Sequence, residues 1–213
     1  MTQQRDLQHH PIVVRIGHWL MALSILIMIG SGWRIYNATP IFGFTFPEWL
    51  TLGGDEAITL VRFNDPGVAN AVAWHFTGMW TLLAAYLLFM VWGIASGHFR
   101  RDFLPVGPKS FLRDFIAAAR FKLEHRLGEY NAVQKVFYWG VLALVALMLI
   151  SGVAIWKPVQ SYPLELLFGG FQGARVVHFL GMAGIAGFIV VHVALVVLVP
   201  KTFIAMVTGK AQS

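Results

Sequence analysis

Four histidines stand inside long apolar stretches of this 213-residue chain: His18, His75, His178 and His192. An ionisable side chain in hydrocarbon is costly and usually functional. One such histidine is equally well explained as a hydrogen bond to a neighbouring helix; four together are harder to dismiss. His178 and His192 are fourteen residues apart, which on a helix puts them within about 40° of one face and about 21 Å apart along the axis. One helix thus offers two ligands at opposite depths. The other four histidines, His9, His10, His98 and His125, fall at interfaces or in polar segments and carry no expected role. The chain has no cysteine, which excludes iron-sulfur clusters, covalently attached c-type haem, zinc ribbons, disulfides and thiolate nucleophiles. Any metal must rest on histidine, carboxylate or methionine.

The elements that position these side chains follow from composition. The chain is 57% hydrophobic and 12% charged, against about half and about a quarter in a soluble domain. A water-soluble globule is excluded. Uninterrupted apolar runs at 12–33, 72–96, 136–156 and 176–200 each reach the roughly 20 residues that cross a bilayer as a helix. The expected fold is all-α, an integral membrane four-helix bundle forming a single membrane domain over residues 1–213. The first run is too long for a signal-peptide core and lacks a small-residue cleavage site, so it is expected to be retained.

Twelve of the sixteen lysines and arginines fall in the N-terminal flank, the loop 97–135 and the C-terminal tail; Arg34, Arg62, Lys157 and Arg175 fall on the opposite side. By the positive-inside rule both termini and the middle loop are cytoplasmic. The net charge of +6 therefore reads as topology and not as affinity for nucleic acid. Trp19, Trp33, Trp74, Trp92, Trp139 and Trp156 lie near the span ends, where such rings favour the interface.

The loops differ in character. In the cytoplasmic loop 97–135, apolar residues recur at helical spacing over 111–125 with Arg113, Asp114, Arg120 and Lys122 opposite. This stretch either lies on the membrane or packs on the end of the bundle. The external loop 37–71 is rich in proline, glycine and acidic residues and is expected to form an irregular acidic surface at the mouth of the bundle. No internal repeat or low-complexity tract is evident.

With the N-terminus inside, the first helix runs outward, and the second and fourth run inward. The depths then pair His75 with His178 near the outer face and His18 with His192 near the inner face. Two facing histidines in each leaflet suit two six-coordinate b-type haems, each iron taking one imidazole from either side. Zinc or copper would ask for three or four converging ligands. Gly17, Gly78, Gly181, Gly184 and Gly187 beside these histidines leave room for a porphyrin, although small residues equally serve helix packing. Arg34, Lys157 and Arg175 outside and Arg15 inside are candidates to pair with haem propionates; topology alone also explains Arg15.

These residues resemble the four-helix di-haem cytochrome b subunits of membrane-bound formate dehydrogenases and nickel-iron hydrogenases, grouped with bacterial cytochrome b561. The resemblance covers all four spans. It is carried by RIGHW at 15–19, GEYNAVQKVFYW at 128–139, SGVAIWKP at 151–158 and the histidine pair of the fourth span, and is nearest to the formate dehydrogenase gamma subunit. It implies His18, His75, His178 and His192 as axial ligands of two haem b groups. It also implies a quinone site at the cytoplasmic haem near Tyr130, Asn131 and Gln134. The residues alone describe these three as a polar helix start, with Asn131 as the cap.

The expected function is an electron conduit. A periplasmic iron-sulfur or molybdopterin oxidoreductase subunit, formate dehydrogenase-like, passes electrons to the outer haem and onward to membrane quinone at the inner one. Moving an electron inward against the membrane potential costs about 2.3 kcal/mol per 100 mV, so a strongly reducing substrate suits that direction. Three readings stay open beside it: a membrane anchor for a sulfite-oxidase-like molybdopterin enzyme, a self-contained cytochrome b561 exchanging electrons between quinone and a small oxidant such as superoxide, and a non-redox protein using the histidines as a proton relay.

Overall fold

The computed structural model describes residues 11–53, 66–104, 107–120 and 131–209. The expectations for His9, His10, Arg62, Lys122, His125 and Tyr130, and those for residues 54–65 of the loop 37–71, lie outside them. Among the described residues the regular structure is helical: α1 Ile12–Ala38, a short 3-10 turn Glu48–Leu50, α2 Pro66–Ala95, α3 His98–Asp102, α4 Pro108–Ala119, α5 Ala132–Trp156, α6 Tyr162–Leu167, α7 Gly170–Leu198 and α8 Pro200–Thr208. Four of these, α1, α2, α5 and α7, are long and apolar enough to cross a membrane. They coincide with the four expected spans but run further at one end, with α1 continuing to Ala38 and α7 beginning at Gly170. At 1.5 Å per residue a 29-residue helix is about 43 Å long, more than the roughly 30 Å of hydrocarbon. The last turns therefore project into the interfacial layer.

The long helices pack mainly in two pairs, α1 on α2 and α5 on α7. Small residues permit this: a methyl group at Gly78 would come within 2.8 Å of Met28 Cγ, and one at Gly181 within 2.8 Å of Met148 Sδ. Leu82, Val145, Met148 and Ile185 form a core between the pairs. Most other large aliphatic side chains point outward, Leu88, Val190 and Leu198 among them, which in water would be an aggregation hazard and in lipid is the stable arrangement. A second core of Phe89, Phe99, Phe103 and Leu142 fills one end.

The connecting segments are more structured than their composition suggests. The described part of the loop after α1 folds back on that helix. Asn37 accepts from Phe46 N (2.9 Å) and donates to Phe46 O (2.8 Å), Tyr36 Oη donates to Phe42 O (3.3 Å), and Leu52 N donates to Gly30 O, eight residues inside the helix (3.0 Å). Gly30 allows that approach, since a methyl group there would lie 3.2 Å from Leu52 Cβ. At the opposite end, α4 covers the first part of the expected 111–125 helix and is anchored on the bundle, because Asp114 accepts a hydrogen bond from Ala132 N, the first residue of α5 (3.0 Å). Its Leu112, Phe115 and Ile116 remain exposed. Proline at position 200, lacking an N–H, ends α7 and starts α8.

Candidate functional site

Each of the four intramembrane histidines meets another. The rings of His75 on α2 and His178 on α7 face each other with centroids 6.4 Å apart. Those of His18 on α1 and His192 on α7 are 6.1 Å apart. These are the two pairs expected from topology, and they lie at opposite ends of the bundle: His75 is level with Ser31, thirteen residues along α1 from His18, which is about 20 Å of helix.

The separations are informative. A metal–imidazole bond is about 2 Å, as with zinc; two such bonds in line, with the distance from each ring's centre to its edge nitrogen, come to about 6 Å. Both pairs thus stand at the spacing of two imidazoles on either side of one metal ion. Among the described residues no three of His, Cys, Asp or Glu converge, so a metal needing three protein ligands does not fit, whereas haem iron, whose ring supplies four, needs two.

The His75–His178 pair is held by two serines that sequence reasoning missed. Ser31 Oγ donates to Ile27 O (2.7 Å) and stands 3.1 Å from His75 Nδ1. Ser151 Oγ donates to Leu147 O (2.7 Å) and stands 2.9 Å from His178 Nδ1. With the single hydroxyl hydrogen committed to the helix carbonyl, each Oγ accepts from Nδ1–H. That fixes the tautomer and leaves Nε2 as the metal-binding lone pair. Beside each serine a glycine lets the ring pass: a methyl group at Gly32 would lie 3.4 Å from His75 Cε1, and one at Gly152 would lie 3.4 Å from His178 Cε1. The usable signal was the Ser-Gly dipeptide common to α1 and α5. The residues therefore fit a bis-histidine haem at this end.

The glycines named from sequence divide. Gly78 and Gly181 are helix contacts against Met28 and Met148, and Gly184 packs near Leu144, whereas Gly17 and Gly187 face open space.

The basic candidates stand at the expected ends of the bundle with partners already in hand. Arg175 donates to Gln172 Oε1 (2.9 Å), to Thr39 Oγ1 (3.0 Å) and to Thr39 O. Arg34 pairs with Glu48 (3.5 Å), and Lys157 Nζ lies 4.9 Å from the centre of the Trp156 ring. At the His18 end, Arg15 donates to Met206 O (3.2 Å) and Val207 O, the last turn of α8, where a cation is favoured by the helix dipole.

Asn131 and Gln134 also lie at the His18 end and form a reciprocal cap on α5. Asn131 Oδ1 accepts from Gln134 N (2.8 Å) and Gln134 Oε1 accepts from Asn131 N (3.1 Å), so the cap read from sequence is present. Asp114 completes this helix start. The hydrogen bond from Ala132 N, with Arg113 alongside, holds its carboxyl below the usual carboxylate range.

The chain is similar to known membrane cytochrome subunits. A chain from Azospira oryzae, provisionally named as the protein-methionine-sulfoxide reductase subunit YedZ1, is 39% identical over 94% of this chain and 96% of its own length. A chain named as a nickel-iron hydrogenase B-type cytochrome subunit, from Bradyrhizobium diazoefficiens, is 24% identical over 84% of this chain and 73% of its own. The cytochrome b556 subunit of the nitrate-inducible formate dehydrogenase of Escherichia coli is 26% identical over 92% and 77%. The sequence pattern of prokaryotic cytochrome b561 matches residues 9–209. The chain belongs to the prokaryotic cytochrome b561 family, multi-pass membrane cytochromes that bind haem b and serve as subunits of oxidoreductases.

Proposed function

We propose that this chain is the di-haem membrane subunit of an oxidoreductase whose catalytic partner docks outside a bacterial inner membrane, with His75 and His178 holding the outer haem and His18 and His192 the cytoplasmic one. The observation that supports this best is the pair of facing imidazoles at each end of the bundle, 6.4 and 6.1 Å apart. When bound, the two haems supply a one-electron path between the faces of the membrane. The chain's own residues fix the ligands: Ser31 and Ser151 present Nε2 of His75 and His178, and the glycines admit the rings. Arg34, Lys157 and Arg175 give the outer end positive charge, and Arg15 does so at the inner end. Propionates can share those guanidinium and ammonium donors with the carbonyls and carboxylate they now hold.

A quinone site at the cytoplasmic end is placed at the start of α5, with Tyr130, Asn131 and Gln134. The capping box uses the side-chain oxygens of Asn131 and Gln134, so what each offers a quinone carbonyl is its NH2 group, a donor of the right kind. Replacing Gln134 with alanine should slow quinone turnover while both haems are retained; normal turnover would place the quinone elsewhere.

The partner sets the direction of flow. The 39% relative matches over nearly the whole of both chains and is named as a subunit of a methionine-sulfoxide reductase. This favours an outward reading, in which membrane quinol gives two electrons to the haems and releases its two protons at the cytoplasmic face, while the partner uses those electrons and two protons from the outer side to reduce a sulfoxide to thioether and water. Outward movement of negative charge is also aided by the membrane potential, by about 2.3 kcal/mol per electron per 100 mV. A formate dehydrogenase-like inward path is the second reading, supported by the 26% relative. In membranes carrying the chain and its co-purifying partner, b-type absorbance reduced by quinol and reoxidised by methionine sulfoxide supports the first. Absorbance reduced by formate supports the second. A chain that purifies alone and exchanges electrons between quinone and superoxide would overturn both.

A further inference from the structure

The Ser-Gly pair of α1 recurs in α5, and its surroundings recur with it. Shifted by 120 positions, α1 and α5 share Val13 with Val133, Trp19 with Trp139, Met28 with Met148, Ser31 with Ser151, Gly32 with Gly152 and Ile35 with Ile155. Shifted by 103, α2 and α7 share Ala71 with Ala174, His75 with His178, Phe76 with Phe179, Gly78 with Gly181 and Met79 with Met182. This corrects the expectation of no internal repeat. The separation from serine to histidine is 44 residues in the first pair and 27 in the second, so no single period runs through the chain.

The contacts repeat as well. Both serines donate to the carbonyl four residues back at 2.7 Å, a methyl group at either glycine would lie 3.4 Å from a histidine Cε1, and Gly78 meets Met28 as Gly181 meets Met148. Leu82 and its counterpart Ile185 share one core with Ile25 and its counterpart Val145. The α1–α2 and α5–α7 pairs are therefore related by an approximate twofold axis passing between His75 and His178.

The same relation at the other end of the bundle gives a different result. The counterpart of His18 is Tyr138, and that of His192 is Phe89. Their rings face each other at 6.3 Å and 58°, against 6.1 Å and 50° for the histidines. This end thus has two equivalent positions, and one of them carries imidazoles. Their surroundings differ: His192 is exposed, whereas Phe89 is 5% exposed. Phe99, carried on α3, packs on Phe89 at 5.7 Å, and the fully buried Phe103 just after it stacks on Tyr138 at 3.8 Å. Gly93 makes this closure feasible, because the Phe99 ring occupies the space a side chain at 93 would take.

We propose that Phe89, Phe99, Phe103 and Tyr138 fill the pseudo-symmetric counterpart of the His18–His192 site and exclude haem from it, so that this cluster fixes the haem count at two. The inference rests on the di-haem reading above. Dense aromatic packing leaves that position no space for a porphyrin, and neither facing ring offers an imidazole to iron.

The test counts haem b per polypeptide, by pyridine haemochrome and by the number of components in a redox titration, on the whole protein purified from membranes. Wild type with a count other than two overturns the di-haem reading itself. In a variant carrying Phe89→His, Tyr138→His, Phe99→Ala and Phe103→Ala the expected count is three. A count of two, with both native components unchanged, overturns the proposal. Should that variant lose its native haems, the exchange runs in the other direction. His18→Tyr with His192→Phe is expected to keep the His75–His178 haem and to melt at a higher temperature than His18→Ala with His192→Ala. Equal or lower melting overturns the proposal, because equivalent positions must accept the same ring pair.

Discussion

The two histidine pairs are nearly equal in ring separation and unequal in construction. His75 and His178 stand in matching surroundings, each with a serine on Nδ1 and a glycine against Cε1. His18 and His192 come from non-equivalent places in the two helix pairs; Trp19 stacks beside His18 and Phe188 beside His192, and His192 is exposed. The first site is thus specified by the same contacts that hold α1 to α2 and α5 to α7. The second lies next to the start of α5 and the end of α8. Under the proposed function this end exchanges electrons with a diffusing quinone, which an exposed His192 suits.

The largest effect that separates the two ends comes from removing a ligand. His178→Phe should cost one haem, leaving about one per polypeptide, and the haem left should be the one that quinol reduces. His192→Phe should also leave one, and that one should no longer equilibrate rapidly with quinol. Pyridine haemochrome content and quinol reduction kinetics measure both outcomes. Unchanged haem content in either variant would refute that ligand assignment.

The next effect concerns space. At Gly32 a methyl group would already touch the His75 ring at 3.4 Å, while at Gly17 nothing lies within 4 Å. Gly32→Val should therefore lower haem content to about one per polypeptide, because branched methyls push His75 off its axis, and Gly17→Val should keep both haems. If the two variants behave alike, the crowding at His75 is not what places the ring.

A smaller effect isolates the serines. Accepting a hydrogen bond from Nδ1–H makes an imidazole a stronger donor to its metal and favours the oxidised state. Ser31→Ala and Ser151→Ala should each raise the potential of one haem while both haems are retained. A net hydrogen bond of about 1 kcal/mol corresponds to about 40 mV for a one-electron couple. The matching geometry predicts equal shifts, and threonine should restore either. Unequal shifts would show that the surroundings of the two rings are less alike than their contacts.

Much of this was legible in the chain because lipid simplifies the grammar. Apolar runs of helical length had to be spans, intramembrane histidines had to meet something, and charge bias gave a direction that paired His75 with His178 and His18 with His192. The serines escaped because Ser31 and Ser151 look like ordinary small residues of a packed helix, and their role appears only when a partner ring arrives from another helix. The duplication escaped because connections of different length put its halves out of register. The fold-back of the loop from Phe42 to Leu52 escaped because proline and glycine signal turns, and turn chemistry says nothing about a backbone N–H reaching back to Gly30 O.

The smallest predicted effect lies at the start of α5, the proposed quinone end, and depends on pH. Asp114 joins α4 to the first residue of α5, and its hydrogen bond from Ala132 N holds its carboxyl below the usual range. A carboxylate whose folded pKa is depressed adds stability above its unfolded value, about 4, and loses it as pH falls through the lower folded value. Asp114→Asn should therefore destabilise the protein near neutrality by about 1 kcal/mol, the difference between a charge-assisted hydrogen bond and the neutral one that the asparagine oxygen can still accept. Protonation removes the same charge from wild type, so the difference in melting temperature should shrink as pH drops below about 4. The start of α5 carries Asn131 and Gln134, so the same substitution should loosen the proposed quinone site and leave the potential of the His75–His178 haem where it was. A shift in that potential would mean the two ends of the bundle are coupled through α5, and the two histidine sites would then have to be treated as one unit.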